Sequence, residues 1–278
     1  MSLVDQFLDF SSRPVPLRVL AMRKFVQHFP IGSYPARLRA GAVARPWYGL
    51  CLYNAAIEAK RLGHKAITAV ELGVAGGSGL VCLCEHSREI QKLVGIEIIL
   101  TGFDTGAGLP SSNDPRDLLF CWPSGSFEMD RAALEKRIAG RAELVFGDVE
   151  QTIRDWQPRA NAPLGAVFFD LDLYTSTRAA LSILGKQNVL PRIWCYLDDI
   201  LGYPECPYTD AIGVRGAIRD FNASSERQTY KDHIMQTYVF RGQAYEDWHD
   251  QIYMYHRFSH PEYNVCLSTG KHQLPLAV

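Results

Sequence analysis

The chain has 278 residues, 47% hydrophobic and 21% charged, which is enough to bury the core of one large domain with decorations. Its 29 basic and 30 acidic side chains leave a formal net charge of −1, so no global field exists to hold nucleic acid or an anionic membrane surface. No apolar run reaches the roughly 18 residues of a membrane span, and MSLVDQFLDFSSRPVPLRVL carries acids and prolines where a secretory signal needs a basic start and an unbroken apolar stretch.

The seven cysteines are odd in number, and several sit inside apolar runs where they read as small buried hydrophobes. This usage points to a reducing, cytoplasmic setting. Cys82 and Cys84 are only two apart, closer than the C-x2-C spacing of zinc sites.

In chain order, residues 1–45 hold scattered prolines and no sustained apolar period, so they are expected to form a partly irregular arm or lid. From Pro46 the pattern changes. PWYGLCLYNAAIEAKRLG has Pro at a first helical turn, apolar residues at helical spacing and Gly63 at the C-cap position. Short apolar runs then alternate with amphipathic stretches, and strands are expected at 67–72, 94–103, 142–146, 164–169 and 193–197. This rhythm predicts an α/β, doubly wound Rossmann-like fold whose mostly parallel sheet is covered on both faces. QIYMYHRF and YNVCLST, separated by a His-Pro turn, are expected to form an antiparallel hairpin at one edge. The catalytic domain is then 46–278, with an insertion at about 105–130.

In such sheets ligands bind beyond the carboxyl ends of the strands. The first apolar run ends in Glu71-Leu-Gly73-Val-Ala-Gly76-Gly77-Ser78-Gly79, where glycines permit a tight turn and close approach of backbone to a ligand. Alone it says only that a nucleotide-like ligand fits. Asp104, after the second run, is placed to accept hydrogen bonds from two ribose hydroxyls or to shape a turn. Asp148, after the third, is placed to meet an adenine edge or to cap the next helix. The fourth run ends in Asp170-Leu-Asp172-Leu-Tyr174 and the fifth in Asp198-Asp199. Four carboxylates at two neighbouring strand ends repel one another unless protons or a divalent cation neutralise them, and magnesium is the hard cation that prefers such oxygens. Asp170 and Asp172 fall on one side of an extended segment, so either qualifies as the ligand from that strand.

Taken in order, ELGVAGGSG, GFDTGAGLP, GDVEQT, FFDLDLYTST and YLDDI resemble the class I S-adenosylmethionine-dependent methyltransferases of the macrocin O-methyltransferase type, over about residues 45–225. The resemblance implies a seven-stranded sheet and a cofactor site of Glu71, Gly73, Gly77 and Ser78 around the methionine part, with Asp104 on the ribose and Asp148 near adenine. It implies magnesium held by Asp170, Asp198 and Asp199. The activity implied is methyl transfer to a hydroxyl of a small molecule or sugar, a secondary metabolite or a glycan. The implied partner is thus a small-molecule acceptor, with no nucleic acid and no membrane; a homo-oligomer is compatible with this. Two departures stand out. Ala75 replaces the middle glycine of the usual motif, which a cofactor loop tolerates if the backbone there avoids positive φ. Leu173 stands where catechol-type enzymes carry a lysine, so no general base is carried over. His28, His233, His256 and Tyr174 are candidates that the sequence does not place in the site, and Tyr34, Trp47, Tyr48 and Trp122 are candidates for an acceptor pocket.

Other readings compete. FFDLDLY looks like the first motif of haloacid-dehalogenase-type phosphatases, but Leu173 and Tyr174 follow where glycine and threonine belong. Asp170-Leu-Asp172 also fits the D-x-D of a metal-dependent nucleotide-sugar glycosyltransferase. A nicotinamide dehydrogenase expects G-x-G-x-x-G and gives the later aspartates no role. A non-enzymatic cofactor-binding protein on the same fold predicts no use for the acidic cluster.

Overall fold

A computed structural model of the chain describes residues 15–224, 232–240 and 245–268. Seven strands form one sheet in the order β3-β2-β1-β4-β5-β7-β6. They are β1 (Ala66–Leu72), β2 (Glu97–Asp104), β3 (Glu143–Phe146), β4 (Leu164–Phe169), β5 (Val189–Leu197), β6 (His233–Thr237) and β7 (Ile252–Arg257). β1 to β5 pair in parallel, while β7 runs antiparallel to both β5 and β6. The order reverses between β1 and β4, the switch point where an open α/β sheet offers a crevice.

Helices cover both faces, as the near-continuous apolar strands require. In β1, Ile67 and Ala69 join one core, while Val70 and Leu72 join the other. β4 and β5 alternate likewise, Phe168 and Tyr196 facing the first core and Phe169 and Leu197 the second. The first core is closed by α3 (Pro46–Leu62) and α4 (Ser78–Val94). α3 starts on proline and stops at Gly63, whose φ of 92° provides the left-handed cap that ends the helix cheaply. The second core is closed largely by α7 (Tyr174–Ala180) and α8 (Gly213–Ala223). In α8, Val214, Ala217, Ile218 and Phe221 recur at i, i+3, i+4 and i+7 and are buried. Two shorter helices, α5 (Arg131–Ile138) and α6 (Val149–Asp155), flank β3.

The described part of the arm carries two helices, α1 (Leu17–His28) and α2 (Tyr34–Arg39), with irregular segments at 29–33 and 40–45. Its lack of apolar period reflects that α1 buries no side chain; Arg23 instead pairs through both terminal nitrogens with Glu246 at 2.8 Å. Three expectations are corrected. Val94, read as the start of a strand, finishes α4, and Gly95 ends that helix at φ 70°. The hairpin partner of β7 is the upstream β6; residues 263–268 form no strand, and Thr269 lies outside the described residues. Finally, Cys121 and Cys206 form a disulfide, so the expectation of reduced thiols fails for this pair, while Cys51, Cys84 and Cys195 are free and buried as read. Among the described residues no helix is long and apolar enough to cross a membrane.

Candidate active site at the carboxyl edge of the sheet

Backbone hydrogen bonds continue past the strand ends and hold the candidate residues in a row. Gly73 N–H reaches Phe103 O (2.9 Å), Gly147 reaches Asp104 O (3.0 Å), Asp170 reaches Leu72 O (2.9 Å) and Asp198 reaches Phe169 O (3.0 Å). The loops after β1 to β5 therefore open side by side onto one cavity of about 290 Å³. Its lining includes Gly73, Ala75, Asp104, Asp148, Asp170, Asp172, Asp198 and Asp199.

The glycine loop is shaped by close packing. Gly73 sits at φ 86°, and a Cβ there would lie 1.7 Å from the carbonyl oxygen of Asp170, so β1 and β4 approach this closely only because the residue has no side chain. Ala75 lies in the left-handed region (φ 44°), the conformation its tolerance was expected to need to avoid. Two amides secure the loop there: Val74 and Ala75 N–H donate to Asp104 Oδ2 at 2.9 and 2.8 Å. Asp104 Oδ1 accepts Gly106 N–H at 2.7 Å. Asp104 thus braces the loop while lining the cavity, and a carboxylate with about four acceptor sites retains capacity for a ligand.

Glu71 lies beneath the loop and away from the cavity lining. It is buried, accepts the Tyr48 hydroxyl at 2.9 Å through Oε1, and leaves Oε2 buried with no hydrogen-bond partner. Burial and then the charge of Asp170 push its carboxyl up to about 8. Gly77 is buried under Leu134, and Ser78 is exposed at the start of α4; neither lines the cavity. Asp148 caps α6, accepting Glu150 N–H (2.9 Å) and Gln151 N–H (3.4 Å), from a position on the cavity rim.

The acids after β4 and β5 converge. One carboxylate oxygen each from Asp170, Asp198 and Asp199 lie within 4.8 Å of one another. Asp172 leaves the extended path at φ 58°, a left-handed conformation that aspartate tolerates, and its N–H donates to Asp199 Oδ2 at 3.0 Å. Asp170 is therefore the member from β4 that joins the group. Burial, then the neighbouring acids, hold the carboxyls of Asp170 and Asp199 well above the ordinary aspartate range. Three converging carboxylates, two of them held above their ordinary range, match the hard oxygen donor set a divalent cation needs. Arg45, at the N-cap of α3 in the left-handed region (φ 40°), supplies positive charge nearby: burial opposes its charge, but Tyr48, Glu71 and Asp170 outweigh that and raise its pKa.

The 105–130 segment walls the cavity with Thr105, Leu109, Pro110, Trp122 and Phe127. Asp117 anchors it, accepting both the amide and the hydroxyl of Thr175 at 2.7 Å. Trp122 Nε1 donates to the Tyr208 hydroxyl at 2.8 Å, and the Cys121–Cys206 disulfide ties the same segment to the loop beyond Asp199. Trp122 is thus the one aromatic acceptor-pocket candidate that lines the cavity. Tyr34 and Tyr48 are core residues, and Trp47 stacks on Tyr196. Of the candidate bases, Tyr174 donates to Asp220 (2.8 Å), His256 bonds the Tyr263 hydroxyl (2.8 Å), and neither these nor His28 and His233 line the cavity. Arg45, Asp117 and Tyr196 were not singled out from the sequence. Tyr196 was within reach of it, since it stands two residues before Asp198 and so on the same side of the strand.

No protein-family model matches the chain, and no curated protein matches it. Among solved structures, CalS11, a calicheamicin methyltransferase, aligns over 87% of this chain and 92% of its own with a TM-score of 0.51 at 18% identity. The chain has the class I methyltransferase fold. TomG, an O-methyltransferase from Streptomyces achromogenes solved with S-adenosylmethionine, aligns over 91% of this chain and 95% of its own, with a TM-score of 0.43 at 14% identity. In this methyltransferase fold, β7 enters antiparallel between β5 and β6, the step that distinguishes it from the simple 3-2-1-4-5-6 dinucleotide sheet. The order also removes the dehydrogenase-type sheet from the competing readings.

Proposed function

We propose that this chain is an S-adenosylmethionine-dependent O-methyltransferase that works with a divalent cation, magnesium by the hardness of its ligands, on a hydroxyl of a small molecule or sugar. The observation that carries the reading is the convergence of Asp170, Asp198 and Asp199 on the cavity that the Gly73–Ala75 turn and Asp104 also line. An adenosine-bearing ligand accounts for the turn and for Asp104, and the acidic triad adds a function that nucleotide binding alone does not need. Asp170, Asp198 and Asp199 would hold the cation. When bound, a sulfonium methyl provides the electrophilic carbon and a divalent cation provides Lewis acidity towards the attacking oxygen.

The chain's own contribution is placement. The cofactor set comprises Glu71, Gly73, Gly77, Ser78, Asp104 and Asp148; of these, Gly73, Asp104 and Asp148 contact the cavity directly, and Glu71 and Gly77 support the turn from below. Leu109, Pro110, Trp122 and Phe127 keep water from the reacting centre, where holding nucleophile and carbon in line lowers the barrier. We assign residues 1–45 as an arm or lid, whose last residue, Arg45, lies near Glu71 and Asp170, and 105–130 as an insertion that walls the cavity. No side chain is assigned as general base.

The test is transfer of label from S-adenosylmethionine bearing a radioactive methyl group to a panel of sugars, sugar nucleotides and phenols, with magnesium or with a chelator. We expect label on oxygen, lost in the chelator and in D198N. Transfer that survives both overturns the metal-dependent reading.

A further inference from the structure

Asp198 is fixed by hydrogen bonds at its amide, its carbonyl and one carboxylate oxygen. Its amide is bonded to Phe169, its carbonyl accepts the side chain of Gln251 and the amide of Ile200, and its Oδ1 accepts the hydroxyl of Tyr196. Tyr196 is the penultimate residue of β5, so its ring projects to the same side as Asp198. That ring is 1% exposed and fixed on two sides: Trp47 stacks on it (centroids 6.1 Å, planes 19° apart) and Tyr48 meets it edge-on at 5.2 Å. Such a phenol cannot swing away, so the carboxylate it touches cannot rotate freely. Oδ2 of Asp198 is left as the oxygen with no hydrogen-bond donor among the described residues.

Resting on the proposed metal-dependent reading, we infer that Tyr196 is a positioning residue for the cation site: its clamped hydroxyl fixes the Asp198 carboxylate so that one oxygen is presented to the cation, and Trp47 holds the phenol in place. A partner of this kind orients a ligand and tunes its basicity without touching the ion, and its loss commonly weakens metal affinity by about 10- to 100-fold. Trp47 is the second residue of α3, just past the arm, and it also packs on Trp248 at 6.2 Å. The stack therefore links the arm junction and the turn before β7 to a metal ligand.

The test is Mn2+ binding to the full chain, followed by the electron paramagnetic resonance signal of free ion, for wild type, Y196F, W47L and Y34F, with binding of S-adenosylhomocysteine in chelator measured on each. Y196F keeps the ring and removes only the hydroxyl; its Mn2+ dissociation constant is expected to rise at least about 10-fold while S-adenosylhomocysteine binds as to wild type. W47L, at a half-buried position, keeps the hydroxyl and loosens the ring, and a smaller rise is expected. Y34F removes a buried tyrosine hydroxyl that bonds His86 at 2.9 Å instead, and wild-type Mn2+ affinity is expected. Equal Mn2+ affinity in wild type, Y196F and W47L overturns the positioning role, as does an equal loss of both ligands in Y196F. Failure of wild type itself to bind millimolar Mn2+ overturns the metal reading beneath it.

Discussion

At the residue scale the site is governed by a few side chains whose place is dictated by what surrounds them. Gly73 is the clearest: its positive φ and the 1.7 Å gap to the Asp170 carbonyl leave no space for a methyl group. G73A is expected to destabilise the fold by at least about 2 kcal/mol, strain at such a position alone costing about 1–3 kcal/mol, and to abolish nucleoside binding. Chemical denaturation checks the first, and a stability equal to wild type would contradict the packing described. Glu71 makes stability depend on pH. Burial raises its carboxyl to about 8, so the folded chain keeps a proton that an unfolded glutamate, titrating near about 4.3, gives up. Its contribution is full below the unfolded value and is lost as pH rises through the folded one. Metal-free wild type is therefore expected to lose stability between about pH 5 and about pH 8, and E71Q to lose less; identical losses in urea melts at both pH values would contradict the assignment.

At the element scale, the strand ends were legible in the sequence and the loops between them were not. The parallel core strands announced themselves because a strand covered on both faces must be apolar throughout, and the acids after β4 and β5 stood out against those runs. The second strand of the hairpin was not legible, since β6 is short and half polar while YNVCLST offers a better apolar run, whose described residues 263–268 form no strand. Nor was the choice between Asp170 and Asp172 legible: alternation held them on one side, and only the left-handed turn at Asp172 separates them. Asp148 shows how one residue can serve an element and a ligand together. D148A is expected to cost about 1 kcal/mol through the lost cap of α6, whereas D148S keeps a capping oxygen and most of that stability. Should D148S retain stability but lose S-adenosylhomocysteine affinity at least 10-fold, the ligand role stands apart from the cap; unchanged affinity would leave Asp148 a cap alone. The disulfide belongs to this scale too. It links residues 85 apart in sequence, and C121S is expected to lower stability by about 2–5 kcal/mol in oxidising buffer and to match wild type once both are reduced.

At the scale of the whole molecule, five loops that are distant in sequence meet because five parallel strands end in register. That convergence turns a turn-forming glycine motif, a bracing aspartate and three repelling carboxylates into one cavity. The apolar insertion then closes it through Asp117, Trp122 and the disulfide. If the site binds an adenosine-bearing sulfonium beside a cation, ligand binding must also stabilise the fold, by about 2.7 kcal/mol at one hundred times the dissociation constant. Magnesium is expected to raise the melting temperature of wild type and not that of D198N. The most direct measurement is calorimetric titration of the full chain with S-adenosylhomocysteine in magnesium, alongside a sugar nucleotide. The account predicts saturable one-to-one binding of S-adenosylhomocysteine; no heat at millimolar S-adenosylhomocysteine, with binding of the sugar nucleotide instead, would contradict it.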